Sequence, residues 1–181
     1  MFIRREISKL VEKVSDLEVH DTFDIVLRNG KGYTVMVAKK DSSGVTCVFK
    51  HSIGRLPMVS EYKHSAIRDY LKTLECLMPE NLQKNMLPVY GKEDLMRLPV
   101  QEDMEYSYKF LTDIDYPFWT MKKCSRLGTI GHVVTDSKGQ HFGKLSSKYD
   151  IRPMFKLRAD AEFITKKEFI KKKKNPDDVT A

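Results

Sequence analysis

The sequence predicts one α+β domain built on antiparallel strands, and three observations support that prediction. β-type alternation recurs between turn residues, one long stretch has helical periodicity, and the order of elements is helix, strands, helices, strands. At 181 residues, the chain is long enough to bury about 70% of the surface that its unfolded form exposes. We expect the domain to cover residues 1–160 and a basic tail to cover residues 161–181.

The first predicted element is an amphipathic helix over residues 3–15. Charged residues such as Lys9 and Glu12 lie on one side of it. The apolar residues recur at helical spacing on the other side: Ile3, Ile7, Leu10, Val11 and Val14. This stripe needs a partner surface, which is either the chain's own sheet or a second copy in a homodimer.

Three short strands are expected to follow as a meander. Asn29-Gly30 separates the β-type stretches 23–27 and 33–38, and Asn-Gly between two apolar runs is the strongest short-range hairpin signal. A second turn, Asp-Ser-Ser-Gly at residues 41–44, precedes a third β-type stretch at 45–49.

The middle of the chain has helical periodicity. One face between residues 62 and 86 carries a regular apolar set: Ile67, Tyr70, Leu71, Leu74 and Leu77. Pro79 is typical of the first turn of a helix, so we expect a second helix that ends near Met86. A short helical turn over residues 92–96 and a short helix over residues 102–110 complete this region.

The sequence of the last third of the domain predicts a second set of strands. Phe118 and Trp119, the only tryptophan of the chain, begin an aromatic strand, and residues 129–135 and 140–145 form a hairpin. A closing strand covers residues 150–157. Its Arg152-Pro153 step indicates an edge or a bulge, because proline cannot donate to a central ladder.

Six pieces of the chain, spread over residues 17–157, resemble one protein family in the same order. They are the stretch 19–23, the helix residues Tyr62, Ser65, Ile67, Arg68, Tyr70 and Leu71, the step Leu98, Pro99 and Glu102, the strand 118–120, a hairpin near Gly139, and the stretch 151–154. The family is a domain of unknown function common in Firmicutes, their phages and mobile elements. It is similar in fold to C-type-lectin-like and sulfatase-modifying-factor domains. The resemblance implies a C-type-lectin-like core, although the chain departs from the family at Lys72 and at residues 120–123.

The sequence contains no recognisable catalytic or metal-binding pattern. Its five histidines lack metalloprotease and zinc-finger spacing, and the acidic residues between 102 and 115 do not follow a calcium-loop register. A sulfatase-modifying enzyme needs a reactive cysteine pair, which Cys47, Cys76 and Cys124 do not offer. We therefore expect no catalysis, no metal ion and no cofactor.

Positive charge is concentrated near the end of the chain. Residues 166–174 hold six lysines and one glutamate, so five of the seven net positive charges lie in this segment. Such a segment is either a solvated terminus or a contact for phosphates or an acidic protein. The odd number of cysteines and the lack of an apolar run of signal-peptide or membrane-spanning length predict a soluble, cytoplasmic protein.

Three residues are expected to be structural. An arginine fixed before a proline can form a buried bidentate pair with a carboxylate, and Glu102 is our candidate partner for Arg152. The alternative for Arg152 is a ligand-binding role. Trp119 beside Phe118 is typical of a core residue, although its indole can also line a cleft.

These observations favour a binding function. The phage setting of the resembling family and the basic tail lead to one hypothesis, an anti-CRISPR-like inhibitor that binds a Cas nuclease or its nucleic-acid complex. The predicted contacts are Lys166, Lys167, Lys171, Lys172, Lys173, Lys174, Lys122, Lys123, Arg126 and Arg55. The alternatives are a lectin-like module for a carbohydrate or receptor, a non-specific nucleic-acid binder, and an enzyme of the sulfatase-modifying class.

Overall fold

Two β-sheets meet in the core of the protein. A computed structural model of the chain describes residues 13–58, 61–100, 103, 117–126, 129–136, 139–144 and 146–162. Within these residues, the chain forms a single small α+β domain with mostly antiparallel strand pairs and few helices. No helix in these segments has the length and apolar character that a bilayer crossing requires.

The described elements follow the chain in this order. The strands are β1 Thr22–Val26, β2 Gly32–Asp41, β3 Gly44–Phe49, β4 Arg55–Leu56, β5 Met86–Leu87, β6 Met96–Arg97, β7 Phe118–Arg126, β8 Thr129–Asp136, β9 Gly139–Phe142, β10 Tyr149–Asp150 and β11 Met154–Arg158. The α-helices are α1 Ala66–Leu77 and α2 Glu80–Gln83, and the 3₁₀ turns are Val14–Asp16 and Tyr62–His64.

The predicted meander is confirmed. β1, β2 and β3 pair in sequence as antiparallel neighbours. Gly30 has a φ angle of 83°, which its lack of a side chain permits. Gly44 has a φ angle of 154°, and a Cβ atom there would lie 1.8 Å from the carbonyl oxygen of Leu157. Glycine is therefore required where β3 approaches β11.

The first sheet is apolar on both faces. Its strand order is β1-β2-β3-β11-β5, with β6 also pairing β11. One face packs Val35, Phe49 and Phe155 into a large core with the apolar side of α1, including Ile67 and Leu71. The opposite face contributes to a smaller buried cluster: Met36, Ala38, Val48, Met154 and Phe118.

The second sheet has the order β4-β10-β7-β8-β9. β10 pairs β4 antiparallel and pairs β7 in parallel at Asp150 and Phe118. Residues 151–153 then carry the chain from β10 in this sheet to β11 in the first.

The prediction that Arg152-Pro153 marks an edge or a bulge is wrong. β11 is an interior strand, because β3 pairs with one side of it and β5 and β6 with the other. Pro153 immediately precedes β11, and its carbonyl accepts a hydrogen bond from the Phe49 amide at 3.0 Å. Pro153 stands before the first residue of the strand, so its missing N–H group removes no hydrogen bond from the ladder. β11 can therefore lie in the interior of the sheet.

The region after α1 differs from the prediction. α1 and the start of a second helix after Pro79 are confirmed, but α2 ends at Gln83, and Met86 lies in a strand. Residues 92–96 do not form a helical turn, since Tyr90 and Asp94 are bridged across a turn at Gly91. Pairing with β11 overrides the local helical pattern here.

Two other predicted elements fall largely outside the described residues. They are the N-terminal helix, of which the structure describes only the residues from 13 onward, and the helix over residues 102–110, of which it describes Asp103. Val14–Asp16 is a 3₁₀ turn, and Val14 is buried. The hairpin of β8 and β9 is confirmed, although β9 ends at Phe142 and not at residue 145.

Candidate functional site

Arg152 lies at the junction of the two sheets and is fully buried, with 0% exposure. Its NH2 group donates a hydrogen bond to the carbonyl of Lys50, and its guanidinium lies 5.3 Å from the ring centroid of Phe118. Burial lowers the pKa of Arg152 to about 9, against the opposing effect of the Asp150 carboxylate. The guanidinium therefore stays charged at neutral pH, inside the protein.

Asp150 is the buried carboxylate beside this guanidinium. It also accepts a hydrogen bond at 2.5 Å from Nε of Arg55, whose side chain is about half exposed. The sequence predicted Arg55 as a contact for a partner, but its guanidinium forms an ion pair with Asp150 within the fold. We call Arg55, Phe118, Trp119, Asp150 and Arg152 the junction cluster.

Trp119 is a core residue, as predicted. Its indole Nε1 donates to the carbonyl of Leu56 at 2.8 Å, and its ring meets that of Tyr149 edge-on at 4.8 Å. Phe118 and Trp119 point to opposite sides of β7, so one side chain enters each of the two apolar clusters. The start of β7 is therefore anchored to both faces of the first sheet.

A second group of buried charges joins α1 to the segment before β6. Asp94 accepts two hydrogen bonds from Arg68, at 2.7 and 3.0 Å, and lies 2.8 Å from Nζ of Lys72. Glu75 accepts a hydrogen bond from the backbone amide of Met96 at 2.8 Å. We call Arg68, Lys72, Glu75 and Asp94 the helix cluster.

The two carboxyl groups of the helix cluster have opposite pKa shifts. Burial raises the pKa of Glu75, against the hydrogen bonds that it accepts. Burial also acts to raise the pKa of Asp94, but hydrogen bonds from Arg68 and Lys72 lower it overall. Burial, followed by the negative charge of these carboxylates, raises the pKa of the neighbouring Tyr62 hydroxyl.

The sequence analysis did not identify the helix cluster. Arg68, Lys72 and Glu75 lie three or four residues apart on α1, which is a signal for side-chain pairing along one helix face. Asp94 comes from a different segment, and no local pattern connects it to α1.

Both clusters bind their charges within the fold. Each buried carboxylate is matched by at least one cation, and the described residues contain no group of three side chains able to hold a metal ion. The thiol of Cys47 is buried, which raises its pKa and suppresses the reactive thiolate. Within the described residues, the charges of both clusters are held by ion pairs and hydrogen bonds.

The other predicted contact residues are only partly placed. Lys122, Lys123 and Arg126 lie along β7, where Lys123 is in register with His132 on β8. The tail lysines and Glu102 lie outside the described residues, so the pairing of Arg152 with Glu102 stays a prediction. The described contacts of Arg152 are instead with Lys50 and Phe118.

The chain matches no protein-family model, no curated protein and no solved structure. The class that its structure defines is a small α+β domain with two sheets and buried ionic clusters.

Proposed function

We propose that this protein is a cytoplasmic binding protein without catalytic activity and with a C-type-lectin-like core. One contrast carries the proposal: the ionic clusters of the described domain are internally paired, whereas most of the net positive charge lies in residues 166–174. A segment with an excess of lysine attracts phosphates or acidic protein surfaces and gives affinity without reading sequence.

Within that class, we propose an inhibitor of a host nuclease that uses nucleic acid, of the anti-CRISPR kind carried by phages and mobile elements. The basic tail supports this target, because such a nuclease presents guide RNA and DNA phosphates together with its own protein surface. The resemblance to a phage-associated family favours the same setting. Lys122, Lys123 and Arg126 on β7 would add a second contact region.

The proposal is tested by affinity capture with a tagged full-length chain. The lysate contains a CRISPR effector, and nuclease-treated and untreated portions are compared by mass spectrometry. Retention of the effector in both portions supports an inhibitor that contacts the protein directly. A matched variant with the six tail lysines replaced by glutamine should lose most of the effector.

Other outcomes of this experiment contradict the inhibitor. Recovery of nucleic acid alone identifies a direct, non-specific nucleic-acid binder, for which six lysine contacts predict a log–log salt dependence with a slope of about −5. Recovery of nothing in either portion favours a lectin-like module for a carbohydrate or receptor.

A further inference from the structure

β1 forms an open edge of the first sheet among the described strands. The amide of Val37 donates to the carbonyl of Asp21, and the amide of Leu27 donates to the carbonyl of Lys31. Hydrogen-bonded and non-hydrogen-bonded pairs alternate along an antiparallel ladder, so the odd-numbered residues of β1 bond to β2. The backbone amides and carbonyls of Thr22, Asp24 and Val26 consequently point outward.

This edge also carries exposed apolar surface. Val26, at the end of β1, is 60% exposed, and Val19, three residues before β1, is 38% exposed. Among the described residues, Val19 and Val26 are the exposed large hydrophobic side chains. An edge with outward amides and exposed apolar side chains is suited to an added strand.

The same segment is acidic on a basic protein. Residues 14–26 contain Asp16, Glu18, Asp21 and Asp24 but no lysine or arginine. Glu18 pairs with Lys40 at 3.1 Å. The other three accept hydrogen bonds from uncharged donors, namely the amides of residues 13 and 18 and the hydroxyl of residue 34. Their negative charge is therefore not matched by an ion pair within the described residues.

The chain's basic tail begins close to this edge. Glu162 is bridged to Lys13, and Ala161 accepts a hydrogen bond from the amide of Val14, just before the acidic segment. β11 and β1 are separated by three strand spacings, which amount to about 14 Å. The eight residues that follow Glu162, up to Ile170, can extend over about 26 Å, so the middle of the segment 166–174 can reach β1.

We propose that residues 166–174 of the same chain dock along the outer edge of β1 as an added strand. The lysines neutralise Asp21 and Asp24, and one of the two neighbouring apolar residues of the tail segment, Phe169 or Ile170, covers Val26 at the end of β1. The docked tail is withdrawn from any phosphate-bearing partner, so β1 acts as an internal competitor for it. The docking stands whether or not the protein inhibits a nuclease.

Amide hydrogen exchange, measured by NMR on the full-length chain at low salt, tests this docking. The outward amides of Thr22, Asp24 and Val26 should exchange at least about tenfold more slowly in the wild-type chain than in a variant whose six tail lysines are glutamine. The amides of Phe23 and Ile25, which bond to β2, are the internal control and should be unchanged. High salt should have the same effect as the variant, because it screens the charges.

A second full-length variant examines the other side of the contact. Replacing Asp16, Asp21 and Asp24 with asparagine keeps an oxygen acceptor at each position and removes the charge. In this variant, the outward amides should exchange faster than in the wild-type chain, while the amides of Phe23 and Ile25 stay protected. Fast exchange of the outward amides in the wild-type chain overturns the proposal, as does protection that survives both sets of substitutions. Protection that disappears on dilution assigns the edge to a second copy and also overturns it.

Discussion

The junction cluster and the helix cluster both place charge inside the protein, but they surround it differently. In the junction cluster, the buried guanidinium of Arg152 contacts a backbone carbonyl and an aromatic ring, with Asp150 nearby. In the helix cluster, the buried carboxylate of Asp94 meets Arg68 and Lys72, whose side chains still reach solvent.

This difference determines what a substitution leaves behind. Removal of Arg152 leaves a cavity and takes the donor away from the Lys50 carbonyl at the buried junction of two sheets. Removal of Asp94 leaves two cations that can turn toward solvent. We therefore expect the junction cluster to be the more sensitive of the two.

The largest effect is expected for Arg152→Ala, which should lower the free energy of unfolding by about 4 kcal/mol, since it deletes a large, fully buried side chain. Arg152→Met fills most of the volume without the charge and should lose only about 1–2 kcal/mol. Urea unfolding of both variants measures the difference. Equal losses for alanine and methionine would show that charge, and not volume, holds the junction.

Asp94→Ala should lower the free energy of unfolding by about 2–3 kcal/mol at neutral pH, because partial hydration of the two cations limits the loss. The folded pKa of Asp94 lies below its usual 3.8, so its stabilisation is present above that pH and is lost as the pH falls through the folded pKa. When unfolding is measured from pH 7 downward, the free energies of unfolding of the wild-type chain and of Asp94→Ala should converge below pH 3.8. A constant difference across this range would contradict the ionic role.

Trp119→Phe examines the neutral part of the junction. The substitution keeps an aromatic ring but removes the Nε1 hydrogen bond to the Leu56 carbonyl, so we expect a loss of about 1–2 kcal/mol. Thermal unfolding of the variant beside Arg152→Met separates the hydrogen bond of the indole from the charge of the guanidinium. A loss above that of Arg152→Ala would reverse the proposed ranking.

The smallest effect is expected for Glu75→Gln, which keeps an acceptor for the Met96 amide and should change the free energy of unfolding by less than about 1 kcal/mol at pH 7. The folded pKa of Glu75 is raised above its usual 4.5, so its contribution is fully present below pH 4.5 and is lost as the pH rises through the folded pKa. The wild-type chain should therefore gain stability relative to the variant as the pH falls toward 4.5. If the wild-type chain instead loses stability relative to the variant as the pH falls, the ion pair with Lys72, and not burial, dominates the pKa shift of Glu75.

The features that the sequence predicted correctly are mostly local. Asn29-Gly30 and the turn before Gly44 define hairpins through their own backbone preferences, and the spacing of Ile67, Leu71 and Leu74 defines the buried face of α1. In each case, residues close in sequence contain the whole signal.

The features that were missed depend on contacts between distant segments. Met86 and Met96 lie in strands because β11 passes beside both, and neither has a strand pattern of its own. Asp94 joins α1 only when the fold brings its segment back to the helix. The burial of Arg152 likewise results from the packing of two sheets, which no residue next to it in the sequence specifies.

The pairing of β3 with β11 has a consequence for how the chain is made. Met154 pairs with Val48, so two neighbouring strands at the centre of the first sheet are more than a hundred residues apart in sequence. During synthesis, β3 emerges from the ribosome long before its partner and keeps an open apolar edge until β11 follows. Such long-range pairing slows folding and exposes the nascent chain to aggregation, so yield in the cell should depend on chaperones that cover β3 during translation.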